Sequence, residues 1–266
     1  MRIFIVADLE GCSGVVAGPD EGRDGAAITA DTNAVIFGAF DGGATDVTVR
    51  DFHCSGRNIS PDSIDPRARL IRGSAITQGG VEFDNSYDTL FLIGFHASTG
   101  DPMGVSCHTF DEGYILRLNG VEMGEAELLA ALAGAEGLGV GLVSGDSRFV
   151  EKFKTLMPEA TAVVTKRALS LSSAECRSPS VVQEELRQGA KRIVSSRDKP
   201  PILVMETPYR LEVDLPSTQH ALVAGWIPQV ERTGPRQIRF EGHDLRQVFK
   251  LVYLLVGISS IIADWR

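Results

Sequence analysis

Three short apolar runs in this chain break, at their carboxyl ends, into residues that bind protons or metals. RIFIVA at 2–7 runs into Asp8 and Glu10, TDVTVR at 45–50 into Asp51 and His53, and DTLFLIGF at 88–95 into His96. Each run is short and rich in apolar or β-branched residues, the pattern of a buried strand. Between the first two a helix is predicted over 26–40, closed by Gly42 and Gly43. Strands alternating with helices make a mostly parallel sheet. Ligands of such sheets bind in the crevice beyond the carboxyl ends of the strands, where residues far apart in sequence converge.

The rest of the chain extends that pattern. YILRLNGVEM at 114–123 carries Asn119-Gly120 between alternating segments, a two-residue hairpin signal. A helix through GEAELLAALAGAEG follows, then a strand at 139–144, a helix to about 157 and a strand near 161–166. An amphipathic helix is expected over 179–195 and a strand at 202–206. Two short β segments should flank Thr233-Gly234-Pro235, ahead of a terminal helix. The fold class expected is α/β: a mostly parallel sheet flanked by helices, with an inserted β-hairpin and a smaller α+β C-terminal lobe. Residues 1–178 would form the metal-binding catalytic domain and 179–266 the lobe, a single domain being the alternative.

Composition enters as exclusions. A formal charge of −9 with no cluster of Lys or Arg argues against a nucleic-acid partner. Cys12, Cys54, Cys107 and Cys176 include no CxxC pair, so neither a disulfide framework nor a zinc ribbon is indicated. The N-terminus turns acidic after a few apolar residues and reads as a first strand, not a signal peptide. The apolar stretch 248–263 carries Lys250 and reads as a buried terminal helix rather than a membrane span. A cytoplasmic location without a membrane partner is the expectation.

Asp8 and Glu10 are two apart, so in an extended segment they point to one side. Gly11 and Gly14 then let the chain turn sharply away. Two carboxylates facing one way repel each other unless a cation lies between them. Mixed carboxylate and imidazole donors suit zinc, with manganese or iron as alternatives. Taken singly, an Asp at a strand end is more often a helix cap; three such ends together favour a metal. Glu125 reads equally well as a first-turn Glu favoured by the helix dipole, and His108 as a structural loop histidine. Cys54 and Cys107 read as small, partly buried hydrophobes, with thiolate chemistry near a metal as the alternative.

The segments VADLEGCSG, VRDFHCSG, LIGFHAS, GVSCHT, LNGVEMGE and VSGD, in this order, with TAVVTKRAL and ECRSP beyond, resemble the zinc-dependent D-aminopeptidases of the DppA type over nearly the whole chain. The resemblance implies two zinc ions per chain on Asp8, Glu10, His53, His96 and Glu125, with Asp8 bridging. In that scheme Glu10 and His96 complete one ion and His53 and Glu125 the other, and His108 is the catalytic histidine. It further implies release of an N-terminal, D-configured residue from short peptides, and a homodecamer of two pentameric rings. On that reading Asp51 and Asp146 are candidates to hold ligand imidazoles, with a helix cap as the alternative for Asp146. Lys166 either orients a substrate carboxylate or is a surface lysine. The loop VVAGPDEGRDG, residues 15–25, should shape the pocket. A zinc amidase acting on a non-peptide or cyclic amide is the main alternative function. A phosphatase is disfavoured because Arg50 and Arg57 are the basic residues near the motifs.

Overall fold

The computed structural model describes residues 1–16, 24–74 and 81–263. In chain order the first half contains β1 (Arg2–Ala7), α1 (Asp24–Asp41), β2 (Asp46–Asp51), β3 (Arg69–Ile71), β4 (Thr89–Phe95), β5 (Ile115–Leu118), β6 (Val121–Met123) and α2 (Glu125–Ala135). There follow β7 (Val140–Asp146), α3 (Ser147–Leu156), β8 (Thr161–Ser170), β9 (Ser173–Cys176) and α4 (Pro179–Ser196). The chain ends with β10 (Tyr209–Asp214), α5 (Thr218–Ala224), β11 (Glu231–Arg232), β12 (Gln237–Gly242) and α6 (Leu245–Ala263).

The apolar runs read from the sequence become the centre of a sheet ordered β3-β2-β1-β4-β7-β8-β9. Its pairings are parallel from β3 to β8, and β9 folds back antiparallel. β4 is buried at every residue and β1 at every residue after Arg2, as expected for strands covered on both faces. One face packs Ile3, Ile5, Val47, Val49 and Ile93 against α1 and α4. The other packs Phe4, Val6, Leu90 and Leu92 into a larger core with α2, α6 and a second sheet.

That second sheet is built on the expected inserted hairpin. β5 and β6 form the hairpin, with Asn119 and Gly120 both at positive φ (52° and 80°), as a two-residue turn between twisted strands requires. The hairpin does not join the parallel sheet. It pairs through β5 with β10, giving an antiparallel sheet β11-β12-β10-β5-β6. The strand expected at 202–206 is absent. Leu203 and Met205 alternate with exposed Ile202 and Val204, which mimics a strand, but the segment lies across backbone. A Cβ on Gly134 would meet the Leu203 carbonyl oxygen at 1.9 Å, and one on Gly139 the Pro200 carbonyl oxygen at 2.3 Å. β10 supplies the strand instead, placing Leu211 opposite Leu118 and Phe240.

The chain beyond residue 178 is spliced into both layers: α4 packs on α1, and β10 bridges the hairpin to β12. The last helix begins at Leu245 and contains an 18-residue stretch of mean hydropathy 1.6, long and apolar enough to span a bilayer. Val248, Phe249, Val252, Leu255 and Ile258 of that stretch are buried in the larger core. The Tyr114 hydroxyl donates to the Leu255 carbonyl at 2.9 Å.

Candidate metal centre

β2, β1 and β4 are adjacent in the sheet, so their carboxyl ends deliver His53, Asp8 and His96 to one place. The ladder runs one residue past β1 and β2: Asp8 N donates to Ile93 O and Phe52 N to Ala7 O, both at 2.8 Å. After Asp8 the chain turns across the end of β4, and Gly11 N donates to Gly94 O at 2.8 Å. A Cβ at Gly11 would lie 1.8 Å from the Phe95 carbonyl oxygen, so only glycine permits this crossing. The crossing returns Glu10 to the strand ends. Glu125 arrives from the second layer as the first residue of α2, with Oε1 accepting Phe110 N at 2.7 Å.

The ligand-type atoms form overlapping groups. His53 Nδ1 lies 3.4 Å from Asp8 Oδ1 and 3.0 Å from Glu10 Oε2. His96 Nε2 lies 3.4 Å from Asp8 Oδ2 and 3.5 Å from Glu125 Oε1. Asp8, Glu10 and His53 thus make one set within 4.8 Å, and Asp8, His96 and Glu125 a second. The two sets share Asp8 through different oxygens. This grouping exchanges partners relative to the expected division: Glu10 stands with His53, and Glu125 with His96. A third set joins Glu10, His96 and His108, and His108 Nε2 is the more distant member, 3.9 Å from Glu10 Oε1 and 3.8 Å from Glu125 Oε1.

Two imidazoles are oriented by carbonyls that can only accept. His96 Nδ1 donates to Ala97 O at 2.9 Å and His108 Nδ1 to Ser106 O at 2.7 Å, so each turns Nε2 toward the carboxylates. The two rings stack at 4.1 Å with planes 12° apart. Cys54, Ser106 and Phe110 adopt left-handed backbone angles (φ 49°, 47° and 61°) within two residues of His53 or His108. Such conformations are costly for residues with a Cβ and gather where geometry is functionally constrained.

Burial and the Glu10 charge push the Asp8 carboxyl up to about 6. Glu10 and Glu125 are held below the usual carboxylate range: burial opposes this, and neighbouring histidines outweigh it. His53 and His96 are raised above the ordinary histidine value, burial again being outweighed by the acidic groups around them. Asp8 Oδ2 and Glu10 Oε2 are buried without a hydrogen bond, a costly state for carboxylate oxygens. A divalent cation bound here must displace the histidine protons. Cation uptake by chelator-treated protein at pH 7 is therefore expected to release about two protons per chain. Affinity should fall as pH drops from 8 to 6, because the raised histidines and then Asp8 hold their protons. Titration calorimetry in buffers of different ionisation heat measures this, and a pH-independent affinity would contradict it.

Other expected residues are placed differently. Asp51 does not touch an imidazole: its carboxylate accepts Asn58 N, Asn58 Nδ2 and Ile59 N, fixing the loop after His53. Asp146 caps α3 by accepting Arg148 N and Phe149 N, and it also accepts Ala97 N beside His96. Lys166 is neither exposed nor directed at the cavity; its ammonium is fully buried against main-chain carbonyls of residues 10–15. Arg50 is buried beside Glu82 at 3.8 Å. Cys107 Sγ donates to Asp101 O, whereas Cys54 is exposed at the cavity. The pocket loop at 15–25 lies mostly outside the described residues.

A cavity of about 160 Å³ opens on Asp8, His53, His108 and Glu125. Phe52, Phe110, Tyr253 and Val256 wall its other side. The sequence pattern does not single out these four. Phe52 sits inside the DFH motif, but Tyr253 and Val256 belong to an apolar helix whose residues carry no local mark of a pocket.

The chain matches the family model described as Peptidase_M55: D-aminopeptidase over residues 1–254. It is 26% identical over 273 residues to the D-aminopeptidase of Bacillus subtilis (strain 168), covering 97% of this chain and 98% of that protein. It also resembles the solved structure described as "Zn-dependent D-aminopeptidase DppA from Bacillus subtilis, a self-compartmentalizing protease", with a TM-score of 0.91, 26% identity and 97% of each chain covered.

Proposed function

This chain belongs to the Peptidase_M55 family of D-aminopeptidases, and from that premise we propose that it releases N-terminal D-amino acids from short peptides with two zinc ions held by Asp8, Glu10, His53, His96 and Glu125. The observation that carries the proposal is the Asp8 carboxylate, shared by two donor sets with one oxygen directed to each. The donors fit the metal: carboxylates and imidazoles are zinc ligands, and the buried Asp8 Oδ2 and Glu10 Oε2 accept no hydrogen bond and face only the imidazole nitrogens of His96 and His53. Zinc bound there supplies Lewis acidity and an activated water at neutral pH.

The protein's own groups handle the rest. The acidic cluster attracts the free α-ammonium of a peptide, which favours unblocked N-termini. Phe52, Phe110, Tyr253 and Val256 offer an apolar wall for the first side chain. His108, half-exposed at that cavity, presents Nε2 while Ser106 O holds its other nitrogen. It is positioned to carry a proton to the leaving amine or to steady the tetrahedral oxyanion.

Assembly into a closed homo-oligomer, a decamer of two pentameric rings, is part of the same proposal. Leu222 on α5, Trp226 just after it, and Leu254 and Ile261 on α6 are exposed apolar side chains of the kind that assembly buries. The first test is zinc content together with hydrolysis of D-alanyl and L-alanyl dipeptides, before and after chelation. Two zinc ions per chain with chelator-sensitive release of D-alanine is the expected result. Two ions without peptide cleavage would move the function to a small-amide hydrolase, and absence of bound zinc would overturn the ligand set.

A further inference from the structure

We infer that Lys166 is a positioning residue for the metal centre, a buried ammonium that fixes the turn carrying Glu10 and thereby sets the zinc position formed by Asp8, Glu10 and His53. The inference rests on the dinuclear reading above and adds to it a residue outside the donor sets.

Lys166 lies in the middle of β8, opposite Asp146, beyond an irregularity in the β7–β8 register at Gly145/Asp146. The side chain is wholly buried. Its Nζ donates to the carbonyls of Glu10, Cys12 and Val15, at 2.9 Å for Cys12 and 2.6 Å for Val15. An ammonium has three donors, and here all three are spent on one turn. Three carbonyl oxygens converging on a point resemble a cation site, and the lysine provides the cation from within the chain.

Neighbouring groups hold the same turn. Thr165 Oγ1 donates to Gly11 O at 2.6 Å, and the buried Asp31 accepts Ser13 N at 2.8 Å. Gln183 Nε2 lies 3.3 Å from the other Asp31 oxygen. Residues 10–13 and 15 are thus gripped from β8 on one side and α1 on the other.

The two proposed metal positions depend on this grip unequally. Asp8 is still on the sheet ladder, its N bonded to Ile93 O, while His96 directly follows β4 and Glu125 is set by α2 and Phe110 N. Glu10 lies past the end of β1, where no ladder holds it, and its own carbonyl is one of the three that Lys166 binds. Removing the ammonium therefore loosens the set containing Glu10 and spares the set of Asp8, His96 and Glu125.

Zinc titration against a competing chromogenic chelator tests this on wild type, Lys166→Met and Lys166→Gln, with a melting curve of each metal-free chain. In Lys166→Met, one zinc affinity is expected to fall by about 10–100-fold, the usual effect of removing support behind a ligand, while the other stays unchanged. Lys166→Gln keeps two N–H donors and should recover part of the lost affinity; if the Met chain fails to fold, Gln carries the comparison with wild type. Unchanged affinities at both positions would overturn the inference. So would equal weakening at both that follows the unfolded fraction, since that marks a purely structural lysine. Fewer than two zinc ions on the wild-type chain would instead count against the dinuclear reading itself.

Discussion

A chain with alanine at position 8 is expected to bind neither zinc ion and to lose peptide hydrolysis by more than about 10⁴-fold, since in the proposed dinuclear site the metals would supply both the electrophile and the activated water. Asp8 is the single residue common to the two strand-end donor sets. Without it, each set retains one carboxylate and one imidazole, short of the three protein ligands that catalytic zinc sites use. Glu125→Ala makes the control. It removes one donor from the His96 set and leaves Asp8, Glu10 and His53 complete, so one zinc should remain. The fold should tolerate both changes, because the Asp8 backbone keeps its bond to Ile93 O and α2 is anchored by buried Leu128, Leu129 and Leu132. Elemental analysis of the purified chains reads the outcome as none against one. Two zinc ions retained on Asp8→Ala would refute the bridging role.

The strand-end residues are legible in the sequence because two local signals coincide. An apolar β-branched run announces a buried strand, and a sudden Asp, Glu or His at its carboxyl end has no apolar reason to be there. That logic brings Asp8, His53 and His96 together correctly, since the runs become β1, β2 and β4, neighbours in the sheet. Glu125 is not reachable in this way. Its place depends on the hairpin pairing with β10, a strand about 90 residues further on, and no local pattern encodes that partner. β10 itself carries a usable signal: YRLEVD alternates buried and more exposed positions along its length. The neighbouring run at 202–206 competes with it, because alternation does not reveal whether a ladder partner exists.

Side-chain direction is the other limit. Metal-bound imidazoles commonly donate to a carboxylate, which makes Asp51 a candidate support for one of them, yet its carboxylate turns to the amides of Asn58 and Ile59. A lone Lys166 reads as a surface or substrate-facing residue because free ammonium groups seek water. Only the convergence of three distant carbonyls makes its burial tolerable. Tyr253 and Val256 lie in an apolar helix where periodicity separates a buried face from an exposed one but does not distinguish core from pocket wall.

His108→Ala is expected to lower kcat by about 10²–10⁴-fold, the range for a lost proton-transfer group, while zinc content stays at the wild-type value. The reason is geometric. His108 Nε2 stands 3.8 Å and 3.9 Å from the nearest carboxylate oxygens, farther than the corresponding nitrogens of His53 and His96. Its side chain is 26% exposed against 2% for His96, so it faces the cavity where a substrate would lie. The stack on His96 and the bond to Ser106 O hold the ring without engaging Nε2. Loss of zinc from the alanine chain would make His108 a ligand, through the set it forms with Glu10 and His96. If zinc is retained, the substrate decides between the two remaining roles. A D-alanyl anilide with an electron-withdrawing ring leaves as a weakly basic amine and needs little protonation. A smaller loss on that substrate than on D-alanyl dipeptides identifies proton delivery to the leaving amine. Equal losses on both identify His108 as a donor to the oxyanion, whose charge develops with either leaving group.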